Sequence, residues 1–167
     1  MGSMTRRQEG VRLTVELVPK TSWGRNLRSV LPLQDWDRLR FRTYRRAGFR
    51  CEVCGREGCG MHSHEMWSYD DAARVQRLTG LLALCSACHK VKHLGHAQLV
   101  GRGPEALEHL AAINGWDADT VARYVAAAFR VWRARSQGPW RLDLSWLSSQ
   151  GVAVPPGDAV LAGRVRS

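Results

Sequence analysis

The sequence has no apolar run long enough to span a membrane, and its start has no hydrophobic stretch of the signal-peptide kind. Those absences argue against a helical membrane protein and leave a cytoplasmic chain as the expectation. Acidic residues are scarce: 15 Asp and Glu stand against 25 Lys and Arg, for a net charge of +10. Lysine is scarcer still, with only Lys20, Lys90 and Lys92, so arginine carries the positive charge. The planar arginine fork suits phosphate oxygens, so nucleic acid is the first expected partner. Internal repeats and low-complexity tracts are also missing, which argues against a solenoid or a disordered chain. At 167 residues the chain is long enough for one domain with a real core.

Cysteine is absent outside residues 51–88, and inside that window it is patterned. Cys51 and Cys54 form one CxxC pair, and Cys85 and Cys88 form a second. Without a secretion signal, such pairs point to zinc and not to disulfides. Two intervening residues let a tight turn aim both thiolates at one ion, and two such turns complete a closed four-cysteine site. Gly55 supplies the freedom that the first turn needs. Thirty residues separate Cys54 from Cys85, more than in a compact zinc ribbon, so the metal is expected to staple a substantial insert. Cys59 reads as a spare thiol in the loop.

Hydropathy patterning organises the rest. Residues 11–18 (VRLTVELV) alternate and predict a half-buried strand that Pro19 ends. Residues 35–47 predict a helix capped by Asp35 and stopped at Gly48. Residues 61–67 predict a short strand, residues 71–78 a short helix, and LLALC the approach to the second cysteine pair. Helices are expected over 105–113 and 118–135. Residues 140–147 alternate again, and this terminal strand is expected to pair with the first. The leading MetGlySer reads as a cloning remnant, residues 4–32 as an N-terminal strand and loop, and 33–95 as the core. Residues 96–150 read as C-terminal helices and a strand packed on that core, and 151–167 as a loose tail.

If the four cysteines close the zinc site, the nearby histidines are left for other work. On a strand, His62 and His64 share a face and Glu65 takes the other. On a helix, His89 and His93 are one turn apart on one side. A zinc clip joining that strand to that helix would bring together a base for water, ligands for a divalent cation, and cationic surroundings for phosphate. His62, His96 and His109 are expected at the surface or in loops. Arg38, Arg42, Arg45, Arg46 and Arg50, with Lys90 and Lys92, are the expected phosphate contacts. Trp67 is the tryptophan best placed to stack on a base.

CEVCG, then HSHE, then LLALCSACHKVKH resembles an HNH endonuclease of the ββα-metal class carrying a four-cysteine zinc. The resemblance covers about residues 33–95, including the arginine-rich helix that runs through Ala47, Gly48, Phe49 and Arg50 into the first cysteine pair. Flanking stretches, among them ELVPKTSW, HLAAINGW and WRLDLSWL, are similar to small stand-alone bacterial and phage members of that family. The resemblance implies an α+β fold: a zinc-stapled ββα-metal core with an N-terminal strand and helix and a C-terminal helical extension. It implies hydrolysis of DNA phosphodiester bonds, with RNA also open as a substrate. His64 would be the general base and His89 the ligand of a catalytic Mg2+, Mn2+ or other divalent transition metal. His93 would add a ligand or a phosphate contact, and Glu65, His62 or Asp70 would supply the ligand that the family places where Ser63 stands. Gly80 stands where the family carries its central Asn. The rival expectations are a zinc-knuckle module that binds nucleic acid without cutting it, and a zinc-stabilised protein-interaction module.

Overall fold

The structure is a computed structural model that describes residues 10–155. The MetGlySer remnant and most of the expected tail lie outside the described residues. Short helix α1 (Leu27–Val30) leads into α2 (Leu33–Arg46). Strands β1 (Met61–Asp70) and β2 (Val75–Cys85) follow, and α3 (Ser86–Lys92) starts directly after Cys85. Then come α4 (Leu94–Leu99), α5 (Gly103–Asn114), α6 (Ala118–Arg135), β3 (Arg141–Asp143) and α7 (Trp146–Ser149). The architecture is α+β, and no helix among the described residues is long and apolar enough to cross a membrane.

A β1–β2 hairpin feeding into α3 is the centre of the molecule. The strands are antiparallel, with Met61 opposite Cys85 and His64 opposite Leu82. Residues 71–78 do not form the expected helix. Asp70 accepts the Ala73 N–H at 2.9 Å and Arg74 turns through a positive φ of 55°, so the chain reverses and enters β2 at Val75. The β-branched and leucine-rich run from Val75 is better served by a buried central strand than by a helix.

Apolar side chains divide between the two faces of this sheet. One core gathers Leu84, Cys85, Val91, Leu94, Leu110 and Val121, joining β2 to α3, α4, α5 and α6. The other gathers Leu27, Leu39, Leu78, Leu81, Leu142 and Leu147, joining β2 to α1, α2 and the C-terminal elements. Burying such leucines contributes roughly 2 kcal/mol each.

The terminal segments do not pair with each other. β3 joins the sheet in parallel beside β2, with Val75 opposite Arg141. Residues 11–18 run extended but outside any strand ladder. Their backbone is taken up mainly by side chains: Asn114 binds Leu13 through both N–H (3.1 Å) and C=O (2.9 Å), and the Tyr124 hydroxyl accepts the Val15 N–H at 3.0 Å. One backbone bond, Glu16 N–H to Lys92 O at 3.0 Å, ties the segment to the end of α3. Leu13 is buried, but residues 14–18 are half-buried polar and apolar alike, so the alternation does not appear as two faces, and side-chain partners replace the ladder.

Candidate metal centres

The first centre grows from two turns. In the first knuckle, Gly55 donates to Cys51 O at 2.8 Å with φ +74°, and the Arg56 carbonyl accepts the Cys51 N–H. Glu52 then docks this knuckle on β2: its N–H donates to Ala83 O at 2.9 Å, and its carboxylate accepts the Ala83 N–H at 2.7 Å. Arg46 closes the same carboxylate at 2.9 Å. The second knuckle is the start of α3, where Cys85 caps the helix and its sulfur accepts the Cys88 N–H at 3.5 Å.

The ligand atoms of Cys51, Cys54, Cys85 and Cys88 therefore all lie within 4.8 Å of one another, and all four are free thiols. The Cys54 and Cys85 sulfurs stand 3.7 Å apart. A tetrahedral zinc with Zn–S of ~2.3 Å has S–S edges of about 3.8 Å, so the spacing fits a thiolate cage. The electrostatics fit as well. Burial opposes ionisation of Cys51, but N–H groups at Cys54, Cys85 and Val53 outweigh it and draw that thiol down to about 7. Burial and the neighbouring Cys51 and Cys85 sulfurs push Cys88 far up. Four thiolates cannot share this space without a cation, and a divalent metal supplies one. His109 touches the cage from α5, with Nε2 3.2 Å from the Cys88 sulfur. It is half-buried and not the surface residue expected. Cys59 stays outside the four-cysteine group, its sulfur near the Arg56 carbonyl and Met61.

The second centre lies where β1 meets the end of α3. His64 projects from β1 and is buried. His89 sits in α3, and His93 is its C-terminal cap, just beyond the helix but still one turn on. Ring centroids are 5.7 Å apart for His64 and His89, 4.9 Å for His64 and His93, and 4.6 Å for His89 and His93. One nitrogen from each of the three lies within 4.8 Å of the others, close enough to serve one ion. Burial and the adjacent imidazoles hold His89 down to about 3 and His93 to about 4, so both are neutral at neutral pH with lone pairs to offer. His62 was expected at the surface, yet it stacks on His89 at 4.5 Å and bonds the Ser86 hydroxyl at 3.0 Å.

A carboxylate backs this cluster. His64 Nε2 is 2.7 Å from one oxygen of Glu16, and Lys92 Nζ donates to the other at 2.7 Å and to the Thr14 hydroxyl at 2.7 Å. Burial alone would raise the Glu16 carboxyl, but His64 and Lys92 outweigh it and bring it below its usual range. An ionised Glu16 is acceptor-only, so His64 presents a protonated Nε2 to it. Glu16 and Thr14 are two residues apart in this segment, and both reach the Lys92 ammonium.

Lys92 is 6% exposed and held by Glu16 and Thr14, so it is not a phosphate contact. Glu65 faces the other side of the sheet, where it accepts the Leu27 N–H at 2.6 Å, and it does not join the histidine group. Desolvation raises its carboxyl to about 7. Asp70 is committed to the hairpin turn. An all-imidazole donor set suits Co2+, Ni2+ or Zn2+ best, holds Mn2+ more weakly, and suits Mg2+ poorly, because Mg2+ demands oxygen ligands.

Gly80 lies within β2 opposite Met66, next to the bulge between Met66 and Trp67. A Cβ there would stand 3.0 Å from the Met66 methyl, so this strand has no room for Asn at 80 unless Met66 moves. Ser63 Oγ is buried with no hydrogen-bond partner among the described residues. Trp67 is half-buried in the second core.

The expected phosphate contacts on α2 are all exposed. Arg38 pairs with Asp35 at 2.6 Å, Arg46 with Glu52, and Arg50 with Glu57 at 2.7 Å. Arg42 bonds the Gln150 carbonyl at 3.3 Å, and Lys90 pairs with Glu105. The Arg45 side chain has no ion pair or hydrogen bond among the described residues. No family model matches this chain, and no curated protein or solved structure matches it.

Proposed function

We propose that the protein is a metal-dependent endonuclease of the HNH type, acting on DNA, with a structural zinc in the four-cysteine cage. The observation that supports this most is the meeting of His64 from β1 with His89 and His93 from the end of α3, on a hairpin and helix clipped together by the cysteines. In this reading His64 Nδ1 takes the proton of the attacking water. The new bond forms between the water oxygen and phosphorus, the bond to the departing oxygen breaks, and solvent protonates that oxygen. Glu16 orients His64 and stabilises the charge it gains. His89 and His93 would hold a divalent transition metal, which when bound would polarise the phosphoryl group and ease departure of the leaving oxygen. The excess of arginine lowers the cost of bringing the polyanion close.

Plasmid cleavage with added Mn2+, comparing the wild type with His64→Ala, tests the reading. Cleavage that the substitution abolishes is expected. Equal cleavage by both proteins removes His64 from the chemistry. Salt-sensitive DNA binding without cleavage under any divalent metal supports the non-cutting zinc module instead.

A further inference from the structure

A further surface lies on α2, whose buried side packs Leu39 into the second core. Its outer side carries Arg38, Phe41, Arg45 and, just past the helix, Phe49, which with Asp37 line an open apolar concavity of about 460 Å³. Phe41 is 45% and Phe49 54% exposed.

Phe49 is the informative residue. It follows Gly48, and both adopt positive φ, 60° for Gly48 and 56° for Phe49. The left-handed region suits glycine, whereas a bulky side chain enters it at a cost. Burial offsets only part of that cost, because the ring stays more than half in water. Held aromatic exposure of this kind points to a ligand. Phe41 is also held: the Arg40 guanidinium lies 4.3 Å from its centroid, and Tyr44 meets it edge-on at 5.9 Å.

The charge around these rings selects the ligand. Residues 33–50 contain six arginines against Asp35 and Asp37, and both acids are already paired, with Arg38 and Arg40. Arg45 is unpaired. Aromatic faces interleaved with arginines match a chain of planar bases on a phosphate backbone, in which the bases are unstacked and free to lie on the rings. A duplex hides those faces, and an acidic peptide brings carboxylates to the arginines but no regular succession of planar rings, one per negative charge, to lie on Phe41 and Phe49. We infer that the Phe41–Phe49 groove of α2 binds single-stranded nucleic acid, stacking unpaired bases on the two phenylalanines while Arg38 and Arg45 take the phosphates. This rests on the nucleic-acid reading above and adds the form of the substrate.

The test is fluorescence anisotropy of labelled oligothymidylate and of a duplex of equal length, with the zinc-loaded full chain and no catalytic metal added. Phe41→Ala and Phe49→Ala are each expected to weaken oligothymidylate binding by at least about fivefold while leaving duplex binding unchanged. Phe49→Trp keeps a stacking face and is expected to retain the affinity. Arg38→Gln with Arg45→Gln is expected to flatten the salt dependence by about 0.7 per lost phosphate contact. All these positions are exposed, and thermal melting confirms that each variant is folded. Unchanged oligothymidylate binding in both alanine variants overturns the inference, as does a wild type that binds only duplex. Failure here is separable from failure of the nuclease reading. Cleavage with indifferent phenylalanines sinks the groove alone, and stacking-dependent binding without cleavage sinks the chemistry alone.

Discussion

Glu16 and His64 lie 48 positions apart in the chain and meet at 2.7 Å, the carboxylate oxygen against Nε2. This contact decides which nitrogen of His64 is committed, because an ionised carboxylate accepts the Nε2 proton, and Nδ1 is the nitrogen left for the proposed reaction. Glu16→Gln keeps the shape but can present either an amide N–H or an oxygen to the ring. Cleavage at saturating metal is expected to fall roughly 10- to 100-fold, the usual loss when such an orienting partner is changed. The affinity for DNA is expected to stay as it was. Rates and KM measured separately check this, and an equal fall in both affinity and rate counts against an orienting role.

Lys92 makes the matching prediction for stability. Its ammonium is buried between Glu16 and Thr14, so removing the charge strands a carboxylate in a poorly solvated place. Lys92→Met is expected to cost about 3 kcal/mol in urea unfolding, within the range for breaking a buried pair. The double variant with Glu16→Gln is expected to cost less than the sum of the singles, since the stranded charge is gone. The salt dependence of DNA binding is expected to be untouched, which separates a buried strut from a phosphate contact.

Cysteine spacing made the first metal centre legible, because two CxxC turns have little else to do, and the cysteines do converge. Period-two alternation made β1 legible and separated His64 from Glu65. The carboxylate behind His64 was not legible. It comes from a segment whose extended backbone is satisfied by Asn114 and Tyr124, partners roughly a hundred positions away that no local pattern encodes. The hairpin at residues 70–75 was misread because its turn depends on an aspartate bond and a left-handed arginine, where the more familiar Asn-Gly signal is missing. Lys92 was misread because one turn of helix looks the same whether it faces solvent or Glu16.

The two centres differ in donor chemistry, and metal removal is expected to separate them. The thiolate cage should hold about one zinc that mild chelation leaves in place. The imidazole group should exchange freely, and activity lost to the chelator should return with Mn2+, Co2+ or Ni2+ but poorly with Mg2+. His89→Ala with His93→Ala is expected to abolish the exchangeable class and to leave the zinc content and the fold intact. Cys88→Ser is expected to lose the tight zinc and unfold the hairpin–helix joint. Elemental analysis beside circular dichroism reads both outcomes.

Glu65 gives a prediction about pH. Its carboxyl is drawn up to about 7 by desolvation, and the Leu27 N–H it accepts does not cancel that. In the unfolded chain the group titrates near 4.5. Below that value it is protonated in both states and pH has no leverage. Between the two values the folded state keeps a proton that the unfolded state has released, so stability falls as pH rises. Above about 7 the full cost is present. Glu65→Gln is neutral throughout and keeps an oxygen for Leu27. It is expected to remove this slope and to gain on the order of 2 kcal/mol over the wild type at alkaline pH. Because Glu65 faces α1 and not the histidines, metal uptake at the imidazole group is expected to be unaffected. Urea melts across the pH range, paired with a Mn2+ titration, check both halves. A Glu65→Gln protein that loses the exchangeable metal would return this carboxylate to the ligand set.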